Sequence, residues 1–447
     1  MTLPHHYASL LARFGAHRSI STDPAFQEQV SATADDLAAW LTEQGFATEL
    51  IEGYDNPLIL ARYAPDPTKP TALVYGHYDV QPAAQDDGWE QDPFLITLRD
   101  GRYVGRGAVD NKGQFLIHLA AISQLIADGT LAWNVEVLLE GNEETGSHGI
   151  TRYLQEHPEK VTATAAMVSD GEIHSLQPKL EIGFRGTIQI DVVLRTSDRD
   201  LHSGLFGGTV PNAARELCAL LDSLYGMEAE LNVEGIEEGA HRPSEQELEW
   251  AARSVPPTSD QRLLSGTREV WSEPGQTLGS QLVFRPAIEV IGLGAGYMGP
   301  GFRNGIPGTA QAKLNVRIVP GQDPEQAYQA VCAHLRAHAP AYVDLEISHD
   351  GHGGGILVDA SRPIVRHAAE LLEQVYGMPP QMAYCGASLP FLLGFQSVPG
   401  LDLLVIPLGN DNCLMHAVGE NIAVANAEKG LAFSQAFFAT APPDPDL

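Results

Sequence analysis

Residues 71–82 read TALVYGHYDVQP. The apolar run from Thr71 to Tyr75 has the length and composition of a buried strand, and it ends at Gly76 with His77 and Asp79 close behind. Side chains able to do chemistry, placed just past the carboxyl end of a strand, fit an open α/β sheet, whose loops converge on one crevice at that edge. Outward from this stretch the same pattern returns. Asn134–Leu139, Ala165–Val168 and Leu401–Ile406 are further short apolar runs. Helical spacing separates them, over residues 23–45 (Phe26, Val30, Leu37, Leu41, with a stop at Gly45), over Gln114–Leu125 between Gly113 and Gly129, over Pro363–Tyr376 and over Glu420–Phe438. The alternation predicts an α/β fold with a doubly wound, mostly parallel sheet.

Between residues 184 and 353 the character changes. Ile188–Leu194 alternates as a strand and Pro211–Tyr225 has helical spacing. Gln281–Ile291, Ala310–Ile318 and Tyr342–Ile347 read as strands, with a helix over Pro324–His338. That is a compact α+β unit of ferredoxin-like type. The expected organisation is a catalytic domain formed by residues 1–183 and 354–447, with residues 184–353 inserted as a second domain. Within the insertion, Glu228 to Glu249 holds eight Glu against a single Arg242, a composition suited to a solvated loop or exposed helix face.

Bulk properties narrow the function classes. A chain of 447 residues is long enough for two domains. Its net charge of −30 repels nucleic acid and anionic membranes, so neither is an expected partner. The four cysteines are widely spaced and form no CxxC pair, which excludes a disulfide framework and a zinc ribbon. No segment approaches the ~18 consecutive apolar residues of a membrane span, and the N-terminal stretch has no signal-peptide pattern. A soluble, cytoplasmic protein is the expectation. No glycine-rich phosphate loop opens a helix, so no nucleotide cofactor is expected.

Five polar clusters sit in loops of the first domain: His77 and Asp79 in GHYDVQP, Asp110 in GRGAVDNKGQ, Glu143 and Glu144 in EGNEETGS, Asp170 in VSDGE, and His416 in MHAVGE. Each alone has a bland explanation: a loop histidine, an N-cap or turn aspartate, a solvated Glu pair. Together, two His and three carboxylates are too many for one tetrahedral ion and suit two ions sharing a carboxylate. Asp110 is the natural bridge; His77 and Asp170 complete one set, and Glu144 and His416 the other. Neighbouring residues of an extended segment point apart, so Glu143 is left to face the reacting water as general base. Asp79 is placed to accept the spare N–H of His77 and orient its ring.

In these segments the sequence resembles the M20 family of binuclear zinc peptidases and deacylases, in particular its cytosolic dipeptidase and carnosinase-like branch. DLHSGLFGG (200–208), NGIPGTAQAKLNVRIVP (304–320) and MHAVGENI (415–422) extend the likeness, so it covers residues 76 to 422. The resemblance implies that the inserted domain is a lid that mediates homodimerisation. It further implies that His202 reaches the partner subunit's active site to stabilise the oxyanion, and that Asn304 and Arg317 hold the substrate's carboxylate or reacting carbonyl. It supports two Zn2+ per subunit, with Mn2+ or Co2+ as substitutes. Where that branch carries a GGSIP-like loop this chain has CGASLP (385–390). Gly386 and Ser388 remain as candidate substrate contacts, while Cys385 and Ala387 stand at glycine-type positions. After His416 the order is Glu420-Asn421, a departure that leaves the function of these two open.

Three functions are compatible with these residues. One is hydrolysis of dipeptides or short peptides; another is deacylation of N-acyl amino acids, whose scissile amide also lies next to a carboxylate. The third is a metal-binding scaffold without catalysis, for which a base at Glu143 has no physical use. The long acidic lid segment favours the dipeptidase branch.

Overall fold

The computed structural model describes residues 2–228, 230–255 and 258–441. They form two compact units, one from the described residues of Met1–Ile182, Val358–Met382 and Leu389–Leu447, the other from those of Gly183–Leu357 and Ala383–Ser388.

The first unit is built on a mixed sheet. Its centre is four parallel strands in the order Asn134–Glu140, Thr71–His77, Ala165–Val168 and Asp402–Val405. On one side the antiparallel strands Leu58–Tyr63 and Ala47–Ile51 extend it; on the other, Glu181 pairs antiparallel with Val405. Asn134–Glu140 is buried throughout, and Thr71–His77 everywhere past its first residue, because helices cover both faces. Lys112–Asp128 packs against Val424–Ala439 and Leu3–Gly15. The parallel direction puts residues 77, 140, 168 and 405 at one edge of the sheet, and the candidate loops leave from there. A small sheet of Thr97–Arg99, Arg102–Val104 and Asn421–Ala423 lies beside that edge.

Two glycines permit close approaches at this edge. A Cβ on Gly113 would sit 1.8 Å from the Ala108 carbonyl oxygen, and one on Gly76 would sit 2.5 Å from Phe115. The loop carrying Asp110 therefore lies tightly against the start of its own helix.

The second unit is a β-α-β-β-α-β arrangement. Its antiparallel sheet runs Ala287–Ala295, Thr309–Ile318, Gly186–Arg195, Asp344–Gly353, the ferredoxin-like order. Ile188, Ile190, Val192 and Leu194 alternate inward with Ala310, Ala312, Leu314, Val316 and Ile318. The helices Ala213–Asp222 and Pro324–His338 close this core. Asn315 and Arg317 consequently face the opposite side of the sheet.

One expected strand is corrected. Gln281–Ile291 is the end of a helix, Leu278–Phe284, followed by a strand that starts at Ala287. Thr277 caps that helix by accepting from the Ser280 N–H, and the apolar triplet Leu282–Val283–Phe284 satisfies either periodicity. The acidic stretch ends in a helix, Glu245–Ser254, opened by a Ser244/Glu247 capping box.

Candidate metal centre and active site

The structure gathers the five clusters of the first unit into one site. His77 ends its strand, with Nε2 3.0 Å from Asp110 Oδ1 and 3.7 Å from Asp170 Oδ2. His416 Nε2 lies 2.7 Å from the other oxygen of Asp110, Oδ2, and 3.4 Å from Glu144 Oε2. Two groups of potential ligand atoms result, His77/Asp110/Asp170 and Asp110/Glu144/His416, each with its atoms within 4.8 Å of one another. They share Asp110. Glu143 Oε2 stands 4.0 Å from His77 Nε2, between the acidic walls.

The loop geometry has local causes. Glu143 and Glu144 lie in a single turn of 3-10 helix, Glu143–Thr145, rather than in an extended segment, so the turn separates their side chains. Asp79 fastens that turn: its carboxylate accepts the backbone N–H groups of Glu143 (3.2 Å) and Glu144 (3.1 Å) and the Ser21 hydroxyl (2.6 Å). His77 Nδ1 is 3.3 Å from Asp79 Oδ1 and 3.1 Å from the Asp79 backbone carbonyl, so both atoms orient the ring. His416 occupies φ 61°, in a loop where Asn412 and Leu414 also have positive φ. Such backbone costs on the order of 1–3 kcal/mol per residue unless the surroundings enforce it.

Residues whose function the sequence left open, or did not single out, do the enforcing. Glu420 is fully buried; its Oε1 accepts the N–H groups of Val109 (3.0 Å) and Asp110 (3.1 Å), and its Oε2 pairs with Arg106 Nη1 at 2.6 Å. Arg106 also donates to the carbonyls of His416 and Pro82. This buried pair therefore holds the backbone of Asp110 and His416 together. Asn111 donates to the Ser169 carbonyl at 2.7 Å and accepts from the His77 N–H at 3.4 Å, joining three of the loops. Gln81 donates to Glu144 Oε2 at 2.6 Å. Glu420 was expected to open the helix Glu420–Phe438, but the helix starts at Val424, after the short strand Asn421–Ala423, and Glu420 turns inward instead.

The electrostatics are those of crowded carboxylates in a dry site. Burial pushes Glu143 up to about 9, with the charges of Asp170 and Asp110 adding to the rise and His77 opposing it. Burial, followed by the Asp110 charge, holds Glu144 at about 7. Burial also raises Asp170. Burial works to lower His77, yet Asp110, Asp170 and Asp79 outweigh it and keep the imidazole well above its usual value. His416 and His77 overcome burial to hold Asp110 well below the ordinary carboxylate range. His77 Nε2 and Glu144 Oε1 are buried without a hydrogen-bond partner. A net acidic donor set with unpartnered buried nitrogen and oxygen atoms fits divalent cations, whose charge would offset the repulsion.

The remaining predicted residues belong to the second unit and form two groups there. His202 pairs in a short antiparallel bridge with Gly305, and Asn304 accepts the Ser203 N–H at 3.0 Å. His202 is exposed; its Nδ1 accepts from the Gly204 N–H at 3.0 Å, which leaves the proton of the neutral ring on Nε2. In the other group, Arg317 Nη1 donates to Ser388 Oγ (3.1 Å), Ser388 donates to the Arg185 carbonyl (2.7 Å), and Arg185 Nε donates to the Gly386 carbonyl (2.9 Å). Arg185 was not foreseen, and the loop 383–388 groups with this unit.

Histidines and carboxylates gathered in the loops at the carboxyl edge of a parallel sheet are the arrangement of a metal-dependent hydrolase. Comparison with known proteins makes this specific: residues 73–440 match the model of Peptidase family M20/M25/M40, and the chain belongs to that family of metal-dependent peptidases. It is 28% identical to the Cys-Gly metallodipeptidase dug1 of Schizosaccharomyces pombe, over 95% of this chain and 93% of that protein. It is 29% identical to the Beta-Ala-His dipeptidase of Mus musculus, over 86% and 79%. Among solved structures, the M20 family metallo-carboxypeptidase Sso-CP2 from Sulfolobus solfataricus superposes with a TM-score of 0.85 at 26% identity, covering 98% and 99% of the two chains. No helix among the described residues is long and apolar enough to cross a membrane.

Proposed function

We propose that this enzyme is a dipeptidase that works with two divalent ions, zinc foremost, held by His77, Asp110 and Asp170 on one side and Asp110, Glu144 and His416 on the other. The observation that carries the reading is Asp110, whose two oxygens face two different histidines and two different ligand groups. When bound, such ions supply Lewis acidity that lowers the pKa of water and polarises an amide carbonyl.

The chain's own residues do the rest. Glu143 takes a proton at Oε2 from the attacking water and returns it to the leaving amine. The acidic cluster raises Glu143, and cationic charge in the site would offset that rise and keep it ionised, ready to take the proton. Asp79 fixes the Glu143–Glu144 turn and the His77 ring, so base and ligands keep their spacing. Arg106 and Glu420 hold Asp110 and His416 in register.

In the second unit, Arg317 and Ser388 would bind the substrate's carboxylate, with Asn304 placing the carbonyl and the backbone of Gly386 closing the end. Residues 184–353 are proposed as a lid that forms a homodimer, His202 of each subunit donating from Nε2 to the oxyanion in its partner's site. The dipeptide names of the relatives favour dipeptides over N-acyl amino acids. None of the four cysteines forms a disulfide among the described residues, which fits work in the reducing cytoplasm.

The test is hydrolysis of dipeptides, a tripeptide, and N-acetyl and N-succinyl amino acids by zinc- or manganese-loaded protein, with a chelated control. Chelator-sensitive cleavage of dipeptides is expected. Preference for acyl amino acids would replace the dipeptidase reading, and silence on the whole panel with metal bound would refute hydrolysis of these amides.

A further inference from the structure

Residues 17–21 lie outside residues 73–440, the stretch that matches the family, yet they are laced to two loops of the metal centre. We propose that this segment is a strap that positions the Glu143–Glu144 turn, and that it acts through the Ser21 hydroxyl, which fixes the Asp79 carboxylate. The inference rests on the peptidase reading above and deepens it by adding a positioning residue for the base Glu143.

The strap runs beside residues 78–80, the loop that leaves the strand Thr71–His77. Ile20 pairs with Val80 in an isolated parallel bridge, the Ser19 carbonyl accepts the Val80 N–H at 3.0 Å, and the Ser19 hydroxyl donates to the Tyr78 carbonyl at 2.5 Å. It also touches the loop of Asp110: Lys112, a fully buried residue, donates from Nζ to the His17 carbonyl at 2.9 Å. Two further contacts hold it down. Ile20 is buried in a small apolar cluster with Val80, Ala83, Trp89 and Phe94. Arg18 pairs with Asp92 at 2.7 Å and lies over the Phe94 ring. The Ser21 hydroxyl is therefore presented from a support that is already fixed.

Asp79 is fully buried, so the orientation of its carboxylate depends on its protein partners. Oδ1 accepts the Glu143 N–H and faces His77 Nδ1; Oδ2 accepts the Glu144 N–H and the Ser21 hydroxyl, whose 2.6 Å is the shortest of the four distances. The torsion that turns a carboxylate is soft, and three of these partners belong to the very elements that Asp79 has to hold. Ser21 alone comes from outside them, and a hydrogen bond to an ionised acceptor is a strong one. Without it, Oδ2 keeps only the Glu144 N–H, and the carboxylate follows the turn instead of anchoring it. The Ser21 hydroxyl makes no other hydrogen bond among the described residues, so its removal reports on Asp79.

Two measurements on the full-length protein separate positioning from folding. In dipeptide hydrolysis by the zinc-loaded enzyme, Ser21→Ala should lower kcat about 10- to 100-fold and leave KM within about twofold, because a small misplacement of the base acts on the chemical step. Metal content should be that of the wild type, and Ser21→Thr, which keeps the hydroxyl, should recover most of the lost rate. Hydrogen exchange read by mass spectrometry follows the turn without catalysis. Amides of residues 141–147 should exchange about tenfold faster in Ser21→Ala, more than those of the strand Asn134–Glu140 beside them, and Ser21→Thr should reverse the change. Full kcat in Ser21→Ala, equal losses in Ser21→Ala and Ser21→Thr, or unchanged exchange of the turn would each overturn the strap's action through the hydroxyl. A wild type that cleaves none of the dipeptides, with exchange of the turn still quickened by Ser21→Ala, would leave the strap standing and overturn the peptidase reading instead.

Discussion

At the scale of single residues, the groups that react are distinct from the groups that hold them. Glu143→Gln removes the base and keeps the fold of the turn, since Asp79 grips it through backbone N–H groups. Its kcat should fall by about 10²–10⁴ with metal content unchanged, measured by steady-state kinetics beside elemental analysis. Glu420→Ala acts differently. It strands the buried Arg106 and two backbone N–H groups, so the protein should lose about 3–5 kcal/mol in denaturant unfolding. Metal affinity should also drop by about 10–100-fold; an unchanged unfolding midpoint would sink the positioning role. Of the residues proposed as ligands, His77, Glu144 and Asp170 were legible because they stand next to strand ends, where short apolar runs announce them. Glu420 was not, because its meaning comes from Arg106, 314 positions away in the chain, and no periodicity links the two. Arg185 was missed for the same reason, its partners Gly386 and Ser388 lying some 200 residues on.

At the scale of elements, the helix Lys112–Asp128 carries the Asp110 loop, and two of its residues test how. Gly113→Ala places a methyl group 1.8 Å from the Ala108 carbonyl oxygen. Backbone must shift to relieve it, so thermal stability should fall by several kcal/mol, far beyond the ~1 kcal/mol that helix propensity alone would return. His118 lies fully buried between Ser169 and Ser434. Ser169 donates its hydroxyl hydrogen to the Ile406 carbonyl, so Nε2 of His118 must be the donor to Ser169 and Nδ1 the acceptor from Ser434. Burial pushes this neutral ring down to about 3, from 6.5. Between those values the unfolded chain binds a proton that the native one refuses, so stability falls as pH falls, by up to about 1.4 kcal/mol per unit. His118→Gln should flatten that dependence in urea unfolding at pH 7, 6 and 5; an identical slope would show that the ring titrates freely. Elements with end signals were readable from sequence. Pro324–His338 and Pro363–Tyr376 begin on a proline, and the second stops at Gly377 in the left-handed region. The stretch Gln281–Ile291 was not readable, since helix end and strand start share one apolar run. The two-residue strands Glu172–Ile173 and Gly409–Asn410 are too short for any periodicity.

At the scale of the whole molecule, the alternation of strands and helices disclosed the α/β class. The antiparallel edges of the first sheet did not show, because an edge strand such as Ala47–Ile51 is only partly buried and carries mixed polarity. The proposed dimer is tested by subunit exchange. Protein with His202→Ala and protein with Glu143→Gln should each be nearly inactive, and their mixture should recover up to about a quarter of wild-type turnover, because half of the dimers then hold one complete site. No recovery after demonstrated exchange would mean that each site is complete within one chain. The central claim is that Asp110 joins two metal sites into one, and metal counting addresses it most directly. Zinc per chain, measured by elemental analysis after reconstitution and buffer exchange, should be two in the wild type, and Asp110→Asn should lose both ions together. A wild type that takes one ion, or an Asp110→Asn protein that keeps two, would contradict the shared site.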